Sequence, residues 1–306
     1  MQFDSASGVL RGGSLMHADA SGPSEGSVVS VRHIMLVEKW ISNLRQLLND
    51  QELFVHDVRV GVFYSGAQVS SGHAGVAFTP RGVNDTVCCP STAASAPPAG
   101  RMLGRRAWEL AEFALAESPL RRAIGVATLN ALSALAFERY GVPGGKAQPG
   151  RDALQAAGIA ADDRVAMVGA FAPFIKALKG KVATLRIIDS HPNALKPDER
   201  QFWVSREETA DTLRHASVVI ISGAALVEGG IDFILESSLL ARRRVMAGPT
   251  APLWAPPFFE SGVNVLGGIQ VRDPALLLTI ASQGGSGYFF NDAADKISLV
   301  REDALN

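Results

Sequence analysis

A rhythm in the second half of the chain most constrains what it can fold into. Apolar runs VAMVG (165–169), VATLRIID (182–189), SVVIISG (217–223), RRVMAG (243–248) and VNVLGG (263–268) are short, continuous and rich in β-branched residues. Helical stretches over 171–179, 206–214, 230–241 and 273–282 fall between or after them. A strand that is apolar at nearly every position is buried on both faces. Such strands alternating with helices predict a parallel sheet with helices on both sides. The expected fold class is therefore α/β, with a doubly wound parallel sheet in the second half.

The first half has a different pattern. Ile34, Leu36, Val37, Trp40, Ile41, Leu44, Leu47 and Leu48 recur at helical spacing and predict an amphipathic helix over 31–49. FVHDVRVGVF (54–63) alternates as a half-buried strand does, and AGVAFT (74–79) reads as its partner across a turn holding Ser70, Ser71 and Gly72. Residues 86–104 read as a loop, followed by helices over 105–117 and 119–139. The second of these is small-sided, so neighbouring elements can approach it closely and it should be buried on several faces. Six of the ten residues of GVPGGKAQPG (141–150) are Gly or Pro, which predicts a linker. The expected division is a disordered Ser/Gly-rich tail over 1–27, an α+β cap over 28–145 and the doubly wound domain over 146–306.

Bulk composition excludes several classes. With 29 basic and 30 acidic residues the net charge is −1, so there is no electrostatic footprint for nucleic acid and no polybasic membrane patch. The longest apolar stretches fall short of the roughly 20 residues that cross a bilayer. No signal-peptide pattern opens the sequence, and the two cysteines, Cys88 and Cys89, are adjacent, which does not suit a disulfide framework. A cytoplasmic protein with reduced thiols and a small-molecule partner is expected, with a homo-oligomer left open.

In an open parallel sheet, ligands bind beyond the carboxyl ends of the strands. Here those ends carry Gly169, Ala170 and Phe171; Asp189, Ser190 and His191; Ser222 and Gly223, with Glu228 beyond; Gly248 and Thr250; and Gly267. Small residues at strand ends serve tight turns, and they also leave backbone open to a ligand. Asp189 lies about 20 residues after the first turn, where dinucleotide-binding folds place an acid for ribose hydroxyls. His191 is close enough in sequence to share a ligand with it. Yet the turn itself reads G-A-F-A-P-F, not G-x-G-x-x-G. There is no Walker A sequence and no GxSxG elbow.

The cap offers His73, Cys88 and Cys89, whose donor types suit a divalent or heavy metal ion, although no CxxC, HxxxH or HExxH spacing accompanies them. Asn130, in the small-sided helix, is a polar group that needs a partner if buried, and a ligand between the domains is one candidate.

Taken together, IGVATLNAL (124–132), VAMVGAFAPFIKALKGKVATLRIID (165–189), VVIISGAALVEGGIDFIL (218–235), AGPTAPLWAPPFFESGVNVLGG (247–268) and VRDPALLLTIASQGG (271–285) resemble the putative heavy-metal chelation family. The resemblance covers about residues 31–293. It implies a cap similar to the enolase N-terminal domain, a Rossmann-like second domain and a candidate active site in the cleft between them. Enolase chemistry is not implied, because enolase's metal ligands lie in its barrel. After the third strand of that domain the family pattern runs close to T-G-T-T-L-V-N-G-T, whereas this chain has SGAALVEGG. Ser222 and Gly223 keep to the pattern, two threonines become Ala224 and Ala225, and the asparagine becomes Glu228. The AGPT segment, with Thr250, stays closer.

The leading expectation is a protein that handles a small molecule or metal complex in the interdomain cleft. In that reading Gly169 and Phe171 shape the floor, Asp189, Ser222 and Thr250 contact polar groups, and Glu228 acts as acid or base. One alternative is an enzyme using S-adenosylmethionine or NAD. Another is a non-catalytic ligand-binding protein or metal-complex chaperone.

Overall fold

Eleven strands in two sheets carry the fold of this computed structural model, which describes residues 35–49, 52–81 and 96–305. The expected tail and most of the expected loop, Cys88 and Cys89 included, lie outside the described residues. The small sheet is an antiparallel meander of β1 (Val55–Val60), β2 (Tyr64–Val69) and β3 (Ala74–Phe78). The large sheet holds β4 (Gly145–Pro149), β5 (Arg164–Val168), β6 (Thr184–Ile188), β7 (Trp203–Val204), β8 (Val218–Ser222), β9 (Arg243–Ala247), β10 (Val265–Val271) and β11 (Ala294–Arg301). Its order is β4-β11-β10-β9-β8-β5-β6-β7.

From β7 to β10 every neighbouring pair is parallel. Read from that edge, the chain order is third, second, first, fourth, fifth, sixth, which is the Rossmann order. The order reverses between β5 and β8, and their carboxyl ends open a crevice there. β11 and β4 extend the β10 edge antiparallel.

Burial explains the continuous apolar runs. Ala166, Val219, Ile221, Met246 and Leu266 face one side of the large sheet, in the same apolar cluster as Trp40, Leu44, Leu129 and Leu132. Val165, Met167, Val218, Ile220 and Val245 face the other, against Ala153, Ile175 and Leu178 of short helices. The helix Pro119–Tyr140 packs against β2 and β3, and its residues 123–133 are all buried. Contact there is backbone-close, as its small side chains predict: a Cβ at Gly75 of β3 would stand 2.4 Å from the Ala131 nitrogen.

The structure departs from the expected elements in four places. The expected hairpin is a three-stranded meander, because YSGAQV folds back as β2. The expected linker contains β4, a solvent-facing edge strand whose residues need not be apolar and whose Pro149 is tolerated at its end. β7 and β11 stand outside the expected set of strands: β7 is two residues long, and β11 pairs antiparallel. The helix expected over 105–117 is α-helical only over Ala107–Ala111 and continues as a 3-10 turn, Glu112–Leu115. Among the described residues no helix is long and apolar enough to cross a membrane.

Candidate functional site

The crevice at the β5/β8 reversal is a cavity of about 380 Å3. Val168, Gly169, Ala170 and Phe171 line it from the end of β5, and Ile188, Asp189, Ser190 and His191 from the end of β6. Ser222, Ala224, Ala225 and Glu228 line it from the end of β8, Tyr64 and Phe78 from the small sheet, and Arg81 from the segment that follows it.

Local geometry shows why these residues stand where they do. Gly169 has φ +94°, a left-handed conformation that side chains resist, and a Cβ there would stand 2.9 Å from the Ser222 Cβ. Its N–H donates to the Ile188 carbonyl at 2.8 Å. Asp189 organises two turns at once: one carboxylate oxygen accepts from the Ala170 N–H at 2.9 Å, the other from the His191 N–H at 2.8 Å. The Trp203 indole N–H donates to the Asp189 carbonyl. Phe171 precedes the helix Ala172–Leu178, with Pro173 in its first turn, and its ring stacks on Phe174 with centroids 5.3 Å apart. The Ser222 hydroxyl accepts from the Ala224 N–H at 3.2 Å. His191 Nδ1 and the Ser190 hydroxyl are 2.9 Å apart.

Glu228 stands at the mouth. Crowding by the surrounding protein pushes its carboxyl above the ordinary glutamate value, and nearby Asp189 pushes the same way, while His191 and Arg81 oppose the rise. The residue as a whole is exposed, so solvent limits the shift. Burial, with a smaller contribution from Tyr288, pushes the Tyr64 phenol up to about 12, which keeps it a hydrogen-bond donor at neutral pH.

The cavity gathers seven of the expected residues: Gly169, Phe171, Asp189, His191, Ser222 and Glu228 line it, and Gly223 sits directly behind Ser222. Thr250 and Asn130 stand apart from the lining. Thr250 is buried, and its hydroxyl accepts from the Phe78 N–H at 2.9 Å. The Asn130 amide donates to the Val76 carbonyl at 2.8 Å and to the Thr250 carbonyl at 3.0 Å. Gly223 lies against that same loop, where a Cβ would stand 2.8 Å from the Ala251 nitrogen. Asn130 and Thr250 lock the small sheet to the loop after β9. His73 lies at the β2–β3 turn, hydrogen-bonded to Ser71 and paired with Glu138.

Tyr64, Phe78 and Arg81 were not among the candidates read from the sequence. Tyr64 lies on the strand the sequence did not disclose, and all three reach the cavity only through packing of the small sheet. A second hollow, of about 290 Å3, is lined by Arg164, Arg186, Asp211 and His215. It lies away from the strand carboxyl ends, and its Arg164 already donates to the His215 carbonyl.

Among the described residues, no group of three or more His, Cys, Asp or Glu is placed to hold a metal ion.

Two family models, both described as "Putative heavy-metal chelation", match residues 43–133 and 152–299. An uncharacterized protein of Methanocaldococcus jannaschii is 24% identical over 186 residues, which are 60% of this chain and 67% of that protein. A crystal structure of a Pyrococcus horikoshii protein with unknown function superposes with TM-score 0.67 at 21% identity, covering 86% of this chain and 99% of that one. Another, from Desulfitobacterium hafniense DCB-2, superposes with TM-score 0.65 at 20% identity, covering 86% and 98%. At these identities the two structures speak for the fold alone. With both models matched in order along the sequence, the chain belongs to the putative heavy-metal chelation family.

Proposed function

We propose that this is a cytoplasmic protein that binds a small polar molecule, bare or already carrying a metal, in the cavity at the β5/β8 reversal. One observation carries the reading: both sheets wall a single cavity at the position where doubly wound folds bind ligands, and charged groups reach it from both. Phe171 forms an aromatic floor, Ser222 and His191 offer hydrogen bonds, and Glu228 is placed to exchange a proton. Asp189 supports the site from behind, since each of its oxygens already accepts a backbone N–H.

A nucleotide-cofactor enzyme is the second reading, favoured by the Rossmann strand order and by Asp189 at the end of β6. Three features at the first turn weigh against a pyrophosphate there. The Ala170 N–H is taken by Asp189, Phe171 occupies a place that dinucleotide folds leave to glycine, and Pro173 removes a donor from the helix start. A third reading, a metal-complex chaperone using Cys88 and Cys89, falls on residues outside those described. Metal analysis of the protein and of its Cys88→Ser/Cys89→Ser variant tests it directly.

Thermal-shift measurements separate the first two readings, because a ligand that binds only the folded state raises its melting temperature. The panel is S-adenosylmethionine, NAD and a set of small amino and carboxylic acids. The expected result is stabilisation by members of the last set, lost in Phe171→Ala. A shift with either nucleotide cofactor, or a small-acid shift that survives Phe171→Ala, overturns the first reading.

A further inference from the structure

Opposite charges face the cavity from different elements without closing on one another, in contrast to pairs such as Asp163 with Arg242, Asp198 with Lys179 and Asp303 with Arg301. Here Glu228 and Arg81 both line one hollow, and the Arg81 charge acts on the Glu228 carboxyl. Yet they form no ion pair, and among the described residues neither side chain has a hydrogen-bond partner. The two come from different elements. Glu228 ends the short helix Ala225–Glu228 after β8, and Arg81 follows β3 in the turn Thr79-Pro80-Arg81. Both are exposed, so an incoming molecule can reach them. Val168, Phe171, Ile188, Phe78 and Ala225 give the same hollow its apolar surface, beside the polar groups of Ser222 and His191.

From this arrangement we infer that the cavity takes an amphoteric small molecule, with an anionic group set against Arg81 and a cationic group against Glu228, on a flat apolar body that lies on Phe171. The inference rests on the cavity being the binding site and adds the class of ligand. Its physical basis is charge matching. A carboxylate and a guanidinium that line one hollow and have no partner among the described residues are both satisfied by a ligand bearing both signs, and a ligand of one sign leaves one of them facing it uncompensated. The volume, about 380 Å3, lies at the small end of the range for ligand pockets, roughly 300–1,000 Å3, and suits a single substituted ring. Tyr64 also lines the hollow, with its phenol protonated at neutral pH.

Three ring compounds of matched size test this by isothermal titration: 4-(aminomethyl)benzoate, 4-methylbenzoate and 4-methylbenzylamine. The doubly charged probe is expected to bind at least about ten-fold more tightly than either singly charged one, the effect of one further charge-assisted contact. Glu228→Gln should bring it down to the level of 4-methylbenzoate, and Arg81→Gln to that of 4-methylbenzylamine. Circular dichroism confirms that each variant is folded. Equal binding of the three probes, no binding by any of them, or a preference untouched by both substitutions overturns the inference. The site reading fails separately. If probe binding survives Phe171→Ala unchanged, the cavity is not the site. If the probes fail while other small acids still give a Phe171-dependent thermal shift, the cavity stands and only the ligand class falls.

Discussion

Asp189 and Glu228 show how differently two carboxylates lining one cavity can be used. Asp189 spends both oxygens on backbone N–H groups and so fixes the shape of two turns, whereas Glu228 is left without a hydrogen bond from any described residue and with a raised pKa. A group that holds its proton more tightly in the folded state than in the unfolded one contributes stability in full below its unfolded value, here near 4.5. That contribution disappears as pH rises through the folded value. Glu228→Gln removes the dependence. Its melting temperature relative to the parent protein should therefore move in the variant's favour between about pH 4 and about pH 7, read by thermal denaturation across pH. A constant difference across that range would show that the two states bind this proton alike. Asp189 was legible in the sequence as an acid at the right strand end. Its use as a backbone acceptor was not, because that depends on the Ala170 and His191 amides converging from two separate turns.

Among the elements, the strands of the large sheet are pinned at both ends, and the end away from the cavity has its own device. Asp163, just before β5, accepts from the Ala160 N–H at 2.8 Å and from the Ser217 hydroxyl at 2.7 Å, and pairs with Arg242 at the start of β9. Burial alone would raise its pKa, but the Arg242 hydrogen bond, with those from Ala160 and Ser217, outweighs burial and holds it below the ordinary aspartate value. The stability it confers is present above the unfolded value and is lost as pH falls through the folded one. Asp163→Asn should cost about 2–3 kcal/mol near neutral pH, the range for losing hydrogen bonds to a charged group, and less as the solution is acidified. Urea denaturation at two pH values checks both parts. A loss that stays the same on acidification would show that charge is not what Asp163 contributes.

The five apolar strands of this sheet were legible because burial on two faces leaves a continuous apolar signature. β4, β7 and β2 were not. An edge strand such as β4 needs no apolar face, a two-residue strand such as β7 has no periodicity, and Tyr-Ser-Gly-Ala-Gln-Val is buried by a helix that approaches its backbone, not by large side chains of its own.

At the scale of the whole molecule, one amide and one hydroxyl hold the cavity's two walls in register. Asn130 donates to carbonyls of both β3 and the loop after β9, and Thr250 in that loop accepts from Phe78. The Asn130 side-chain oxygen is buried with no partner among the described residues, so the amide contributes here as a donor. Asn130→Ala should cost about 2 kcal/mol for two stranded carbonyls, and Asn130→Asp more, because a buried carboxylate would face them. Hydrogen exchange should quicken in β3 and in residues 248–251 while β5 and β6 stay protected. Uniform quickening throughout would mean that these residues support global stability and do not join the two sheets specifically.

The sequence by itself determined the α/β class, the parallel strands, the buried small-sided helix and the residues at the strand ends, because each leaves a local trace in periodicity or in residue size. Tertiary structure alone decided that Tyr64, Phe78 and Arg81 complete the cavity, that Asn130 and Thr250 serve as a clamp, and that Glu228 and Arg81 line one hollow without pairing with each other. These are relations between groups distant along the chain. They are set by how the meander packs on the helix Pro119–Tyr140 and how the strand order reverses at β5 and β8. No local pattern encodes a distance that exists only after two sheets have closed around a common core.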